Sequence, residues 1–208
     1  MANNAIITFI IPTIGRNTIT NTIDSLINQT YPNWKAIIIF DGIIPTIENN
    51  DPRIQILQCE KIGQDVNHAG LVRNYGINYA DTEWIGFVDD DDTLSPNYVE
   101  NLIKEINEFG PIDIIIFRMY NQERNNILPM LETDDIYEAQ VGISFSVKKK
   151  LFDEGCIFIP SGTEDFSYLK NAIKKNCKIM ISPYITYFVR NNDYSICDTF
   201  GNRVFIKS

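Results

Sequence analysis

The chain has 208 residues and a net charge of −9, and 44% of its residues are hydrophobic and 22% charged, which is ordinary for a soluble globular protein. This length accommodates one domain with a full core and is short for two. Because a phosphate backbone is bound by clustered cations, the acidic balance and the lack of a long Lys and Arg stripe exclude nucleic acid as the main partner.

The first half of the chain alternates strand and helix patterns. Apolar runs predict strands at 5–11, 35–40, 54–57, 84–88 and 112–117, the first of them ended by Pro12. Apolar residues at helical spacing predict helices at 18–29, 69–79 and 96–108. Such alternation is typical of crossover helices and a largely parallel sheet with right-handed connections. The sequence therefore predicts an α/β fold.

The pattern changes after Arg118. The stretch 120–138 is polar and has no clear period, so it is predicted to form a long loop or a hairpin, and loops of that length are usually functional or mobile. Further patterns predict a strand at 142–147, a helix at 164–175 and two strands at 178–181 and 185–189.

Four consecutive acids, Asp89 to Asp92, directly follow the strand predicted at 84–88. They would lie at the carboxyl end of a buried strand, where α/β sheets bind ligands. Their mutual repulsion is relieved by a raised pKa or by a cation, and magnesium is usually held by one or two carboxylates together with water and substrate phosphates. An acidic turn that caps the next helix is a second interpretation, which can hold together with the first, because Ser95 and Pro96 fit the N-cap and first helical positions.

Three other side chains each admit a functional and a purely structural interpretation. Asp41 ends the second predicted strand at the same edge, where it could accept a hydrogen bond from a ribose or a base, or serve only as a turn residue. Arg73, in the first turn of a predicted helix, could reach a diphosphate, or be a surface charge. Asp165, beside Glu164, could be a general base or a helix cap.

These segments, in this order, resemble the family 2 glycosyltransferases, which have the A-type nucleotide-diphospho-sugar fold. The resemblance covers nearly the whole chain. The matching segments are IIPTIGR at 10–16, TIDSLINQTYP at 22–32, RNYGI at 73–77, FVDDDD at 87–92 and ED at 164–165, with a looser match at 187–195. The chain departs from the family in two places. Phe40 precedes Asp41 where the family usually has a second acid, and Asp81 stands where the family often has Gly.

The resemblance implies a single Rossmann-like A-type glycosyltransferase domain over residues 1–208, with a mostly parallel central sheet. The nucleotide-sugar-binding half would be 1–118, and a smaller, mixed acceptor-side half would be 119–208. The implied reaction moves a sugar, with inversion, from a nucleotide-diphospho-sugar to a hydroxyl acceptor such as a saccharide. A UDP-sugar is the favoured donor, because uridine diphosphate is the commonest donor nucleotide in the family.

Roles for individual residues follow from the same resemblance. Asp91 would hold a divalent metal, Mn²⁺ or Mg²⁺, and Asp165 would be the catalytic base. The nucleotide would be contacted by Thr13, Arg16, Asp41, Arg73, Asp89 and Asp90.

Two other functions stay open from the sequence. VDDDDTL at 88–94 also fits the motif of haloacid-dehalogenase-type phosphatases, with Asp89 as nucleophile and Asp91 as acid/base, although that motif normally lies on the first strand of its domain. A sugar-nucleotide-binding module without catalysis would be favoured if Asp165 lay far from the acids. An EF-hand calcium loop is rejected, because Leu94 stands where that loop needs glycine.

The remaining signals concern cysteines and location. The four cysteines are widely spaced and His68 is the one histidine, so neither a zinc site nor a disulfide framework is expected. No apolar run approaches the roughly 20 residues of a membrane span, and the N-terminus lacks the basic flank and cleavage site of a signal peptide. A cytoplasmic location without a membrane span is therefore expected.

Overall fold

A computed structural model describes residues 5–63, 68–190 and 194–207. The strands in these ranges are β1 (Ile7–Thr13), β2 (Trp34–Asp41), β3 (Ile54–Cys59), β4 (Trp84–Phe87), β5 (Thr93–Leu94), β6 (Ile114–Asn121), β7 (Asn126–Leu128), β8 (Phe145–Lys148), β9 (Ile179–Val189) and β10 (Val204–Ile206). The helices are α1 (Ile19–Ile27), α2 (Ala69–Ile77), α3 (Tyr98–Phe109), α4 (Lys150–Asp153) and α5 (Glu164–Lys174). Among the residues described, no helix has both the length and the apolar character to cross a membrane.

The strands form one sheet in the order β10-β9-β6-β8-β4-β1-β2-β3, with β5 paired to β9 and β7 paired to β6. Strands β3, β2, β1 and β4 are parallel. Strand β8 runs antiparallel between β4 and β6, and β9 is parallel to β6. The carboxyl ends of β1, β2, β4 and β9 therefore lie at the same edge of the sheet. The fold is the predicted α/β fold with a mostly parallel central sheet.

Close packing sets the positions of the two helices that carry predicted site residues. A Cβ at Gly76 on α2 would lie 2.6 Å from the Cδ1 atom of Ile39, so α2 approaches the sheet where only glycine fits. Helix α5 is held by the ring of Tyr168, which stacks on Phe158 with centroids 4.6 Å apart and on Phe145 at 5.6 Å. Aromatic stacking of this kind adds to area burial, and it fixes the start of α5 near the edge of the sheet.

Pro12 does not end the first strand, which continues through Thr13. The N–H of Val88 donates to the oxygen of Ile10, so the backbone groups of Ile10 face β4, and those of Pro12, two residues on, face the same way. Pairing with β4 stops at Ile10. The missing N–H of Pro12 therefore faces a position without a partner strand, where proline is tolerated.

Two other differences from the sequence prediction concern elements next to the acidic turn or paired with it. The third long helix begins at Tyr98, not at Pro96, because β5 pairs with β9 and the N–H of Ser95 still donates to the oxygen of Thr186 at 2.9 Å. The strands predicted at 178–181 and 185–189 are one strand, β9, whose register shifts beside Arg118. Extra residues at such a bulge stay out of the ladder, which accommodates Pro183.

Candidate active site

A cavity of about 720 Å³ opens at the edge of the sheet where β1, β2 and β4 end. This volume lies within the range of small-molecule sites. Six of the predicted site residues line it, namely Thr13, Arg16, Asp41, Asp89, Asp90 and Asp91. Arg73 and Asp165 lie next to this lining, where they interact with Asp89 and with each other. The structure thus brings all of the predicted site residues to one region.

Asp90 fastens the loop after β1 to the acidic turn. Its buried carboxylate accepts hydrogen bonds from the hydroxyl of Thr13 at 2.6 Å and from Nη1 of Arg16 at 2.8 Å. The same Thr13 oxygen accepts the N–H of Gly15 at 2.9 Å. Because the side chain of Arg16 is about half exposed, its guanidinium is held at the cavity wall and is still open to an anionic ligand.

Arg73 connects three carboxylates from two distant segments. Its guanidinium lies 2.5 Å from Asp89, 2.9 Å from Glu164 and 3.7 Å from Asp165, and its side chain is only 3% exposed. The three acids keep it charged and raise its pKa, although burial opposes this. Direct contact of Arg73 with a nucleotide stays a prediction. In the structure Arg73 lies outside the cavity lining and orients Asp89, which is part of that lining.

Glu164 ties the start of α5 to the start of α2. Both of its carboxylate oxygens accept the backbone N–H of Gly70 at 3.1 Å, in addition to the contact with Arg73. A carboxylate at the first turn of a helix is favoured by the unpaired N–H groups there. Glu164 therefore fixes both the neighbouring residue Asp165 and the Arg73 guanidinium.

Asp165 is buried with an incomplete set of hydrogen bonds. One of its oxygens is buried without a hydrogen-bond partner among the described residues. Burial raises the pKa of Asp165 to about 7; the Arg73 charge lowers it, and the Asp89 and Glu164 carboxylates raise it further. A carboxylate with a pKa near 7 is well matched to proton transfer at neutral pH.

The other two acids of the turn are held by β9. Asp92 accepts the Tyr187 hydroxyl at 2.7 Å and the N–H of Arg190 at 2.9 Å, and the Tyr187 oxygen accepts the N–H of Asp89 at 3.2 Å. The Arg190 guanidinium lies 3.1 Å from Asp91. Asp92 is therefore buried against a strand, and the alternative in which the acids cap the next helix is wrong, since β5 separates them from α3.

Asp41 lies in the cavity wall, and its carboxylate organises the segment after β3. It accepts hydrogen bonds from the N–H of Ile62 at 2.6 Å, from the Lys61 ammonium at 2.8 Å and from the N–H of Gly63 at 3.1 Å. Carboxylate oxygens have further lone pairs, so contact with a nucleotide remains available and stays a prediction.

A divalent cation at the acids stays a prediction, and it would need ligands from outside the protein. Among residues 5–63, 68–190 and 194–207, no cluster of three or more His, Cys, Asp or Glu side chains could hold a metal by itself. Magnesium normally uses only one or two carboxylates and takes its other ligands from water and phosphates. Asp91, at the cavity wall and 16% exposed, fits that pattern of oxygen ligands, whereas a closed protein cage is excluded for the part of the chain described.

Four contributors to the site had no role assigned from the sequence: Lys61, Glu164, Tyr187 and Arg190. Glu164 was visible as the neighbour of Asp165, and both Tyr187 and Arg190 lie in the loosely matching segment 187–195. Nothing local marked Lys61, because its partner Asp41 is 20 residues away.

Comparisons with known proteins identify related sequences and folds. The model of the family described as Glycosyl transferase family 2 matches residues 8–163. Glycosyltransferase GlyA of Streptococcus pneumoniae serotype 4 is 29% identical over 156 residues, which are 71% of this chain and 22% of GlyA. Thus the chain spans about a fifth of that curated relative.

The fold is shared with solved structures of S. aureus TarS 1-349. The structure in complex with UDP has a TM-score of 0.70 and 18% identity, and the match covers 88% of this chain and 60% of that one. The structure in complex with UDP-GlcNAc has a TM-score of 0.67 and 16% identity, covering 90% and 59%. At these identities the likeness concerns the fold.

Proposed function

The chain belongs to glycosyl transferase family 2, and from that premise we propose that it transfers a sugar, with inversion, from a UDP-sugar to a hydroxyl acceptor. The observation that carries the proposal is the Arg73 bridge. One guanidinium joins Asp89, at the wall of the large cavity, to Asp165, an acid with a pKa of about 7. A donor pocket and a candidate base are thereby adjacent.

The cavity offers cations for a diphosphate. Arg16, Lys61 and Arg190 line it, and the side chains of all three are about half exposed or more. Each pairs with a carboxylate whose side chain is at most 16% exposed, but the cation of each pair faces solvent, which screens the attraction. A diphosphate can therefore exchange with the carboxylates for these cations. The structures of TarS with UDP and UDP-GlcNAc support a uridine nucleotide as the ligand.

Such an exchange would release Asp91 from Arg190. We assign Asp91 as the residue that holds Mg²⁺ or Mn²⁺, with Asp89 as the next oxygen donor at the cavity wall. When bound, the cation supplies positive charge that stabilises the departing diphosphate. Asp90 and Thr13 keep the turn in place for both roles.

Asp165 performs the proton transfer in this proposal. Its ionised carboxylate accepts the proton of an acceptor hydroxyl while that oxygen forms a bond to the anomeric carbon of the donor. The bond from the anomeric carbon to the diphosphate breaks on the opposite side, and its electron pair leaves with the diphosphate. The configuration at the anomeric carbon is inverted in this single displacement.

The alternatives from the sequence are less well supported. The family model that matches this chain is that of a glycosyltransferase and not of a haloacid-dehalogenase-type phosphatase. In addition, Asp89 follows β4, whereas the phosphatase motif normally follows the first strand. A module without catalysis was favoured only for an Asp165 remote from the acids, and Arg73 contacts both Asp165 and Asp89.

A thermal-shift panel of nucleotide sugars, with and without Mn²⁺, tests donor binding. A ligand at 100 times its dissociation constant stabilises a protein by about 2.7 kcal/mol. We expect a UDP-sugar to raise the melting temperature in a metal-dependent way. If no nucleotide sugar does so, the proposal is wrong. Replacing Asp165 with Asn then tests catalysis. Transfer should fall by about 10²-fold or more, whereas the exposed Asp24→Asn control should retain it.

A further inference from the structure

A second cavity, of about 280 Å³, lies beside the large one, and Arg190 lines both. It is formed on the hairpin of β6 and β7 and the end of β9. The volume is just below the range of whole small-molecule sites, so it suits one ring rather than an extended ligand.

The register of the strands explains how this cavity is built. Met119 pairs with Leu128, and Asn121 pairs with both Asn126 and Val189. Because side chains alternate along a strand, these five residues share one face of the sheet. That face is only partly buried. It has two apolar side chains at one end and two amides at the other, next to the turn of the hairpin.

The amides are poised for a hydrogen-bonding ligand. The Oδ1 atom of Asn126 is buried and has no hydrogen-bond partner among the described residues. A buried polar atom without a hydrogen-bond partner is unfavourable, and a ligand that donates to it removes that cost. The Oδ1 atom of Asn121 accepts the N–H of Arg124 at 3.0 Å, so the NH₂ group is the part of that side chain left for a ligand.

We propose that this cavity is an acceptor subsite that binds one neutral sugar unit. Hydroxyl groups would bond to Asn121 and Asn126, and the C–H face of the ring would pack on Met119 and Leu128. This proposal rests on the proposed transfer reaction. Arg190 lines both this cavity and the donor cavity, so the two are neighbours. A saccharide seated here could extend past Arg190 to present its reacting hydroxyl to the donor.

The test uses the four methionines of the chain as NMR probes, with ¹³C-labelled methyl groups. Met119 borders the cavity and Met180 is fully buried elsewhere. Methyl glycosides of glucose, galactose and N-acetylglucosamine are titrated in the presence of Mg²⁺ and UDP. We expect at least one to shift the Met119 signal saturably and to leave Met180 unchanged.

Two variants locate the effect. Asn126→Val should raise the dissociation constant of the glycoside by about 3- to 10-fold, as expected for the loss of a hydrogen bond, and leave UDP binding unchanged. Ile127→Val, on the opposite face of the same strand, is the matched control and should change neither. If Asn126→Val fails to fold, Gly142→Ala replaces it, because its Cβ would lie 2.8 Å from the Met119 sulfur and force that side chain to move. Glycoside binding should then weaken while UDP binding stays unchanged.

The outcomes separate the two proposals. UDP binding without any Met119 response to the glycosides would overturn the subsite and leave the transfer reaction standing. Methyl glucuronoside is titrated in the same way as an anionic comparison, and a response to it alone would also overturn the subsite, by showing a site for anions at Arg124 and Arg190. A glycoside response without UDP or UDP-sugar binding would support the sugar site and contradict the proposed donor.

Discussion

Replacing Asp165 with Asn should stabilise the protein while it lowers the rate of transfer by about 10²-fold or more. Burial raises the pKa of Asp165 from its ordinary 3.8 to about 7, and a change of one in pKa corresponds to 1.36 kcal/mol. The ionised carboxylate therefore destabilises the fold by at most about 4 kcal/mol at pH 8. Because the side chain is a quarter exposed and solvent screens its charge, we expect about half of that, near 2 kcal/mol.

The dependence on pH has a definite sign. An acid whose pKa is raised by folding keeps its proton longer in the folded state, so the wild type loses stability as pH rises from about 4 to about 7. Asn carries no such proton. The advantage of the variant should thus be about 2 kcal/mol near pH 8 and shrink to about 1 kcal/mol near pH 5.5. Arg73 remains paired with Asp89 and Glu164 in the variant.

Urea unfolding of the wild type and the variant at both pH values measures this difference from the midpoints, provided the slopes agree. Asp24→Asn, an exposed substitution on α1, is the control and should change stability by less than about 0.5 kcal/mol. The reasoning is refuted if Asp165→Asn is no more stable than the wild type near pH 8, or if its advantage does not grow with pH.

Three further measurements follow from the site. If Asp165 is the base, kcat/KM should fall about tenfold for each pH unit below about 7 and level off above it; a flat profile down to pH 5 would contradict the assignment. Tyr187→Phe removes the hydroxyl that joins Asp89 to Asp92 and should lower stability by about 1–3 kcal/mol in urea unfolding, whereas the exposed Tyr31→Phe should not. Asp91→Asn should remove the Mn²⁺-dependent part of the thermal shift with UDP and leave the metal-free part; an undiminished Mn²⁺ effect would exclude Asp91 as the ligand.

Much of the fold was predictable because strands and helices are marked by local patterns. The apolar run before Asp89 predicted a buried strand, and its carboxyl end predicted a ligand site. The resemblance then grouped the site residues correctly in space. Two of the errors, at Pro12 and at the start of α3, depended on a neighbouring strand: the end of β4 in one case and pairing with β9 in the other.

Chemical roles within the site required the tertiary structure. Arg73 and Glu164 are 91 positions apart, and Asp92 and Tyr187 are 95 apart, so no local spacing signals either pair. The four acids look alike in the sequence. Folding buries Asp90 and Asp92, whereas Asp89 and Asp91 stay partly exposed in the cavity wall. Identical side chains acquire different exposure and different partners because both depend on how the tertiary structure packs around them.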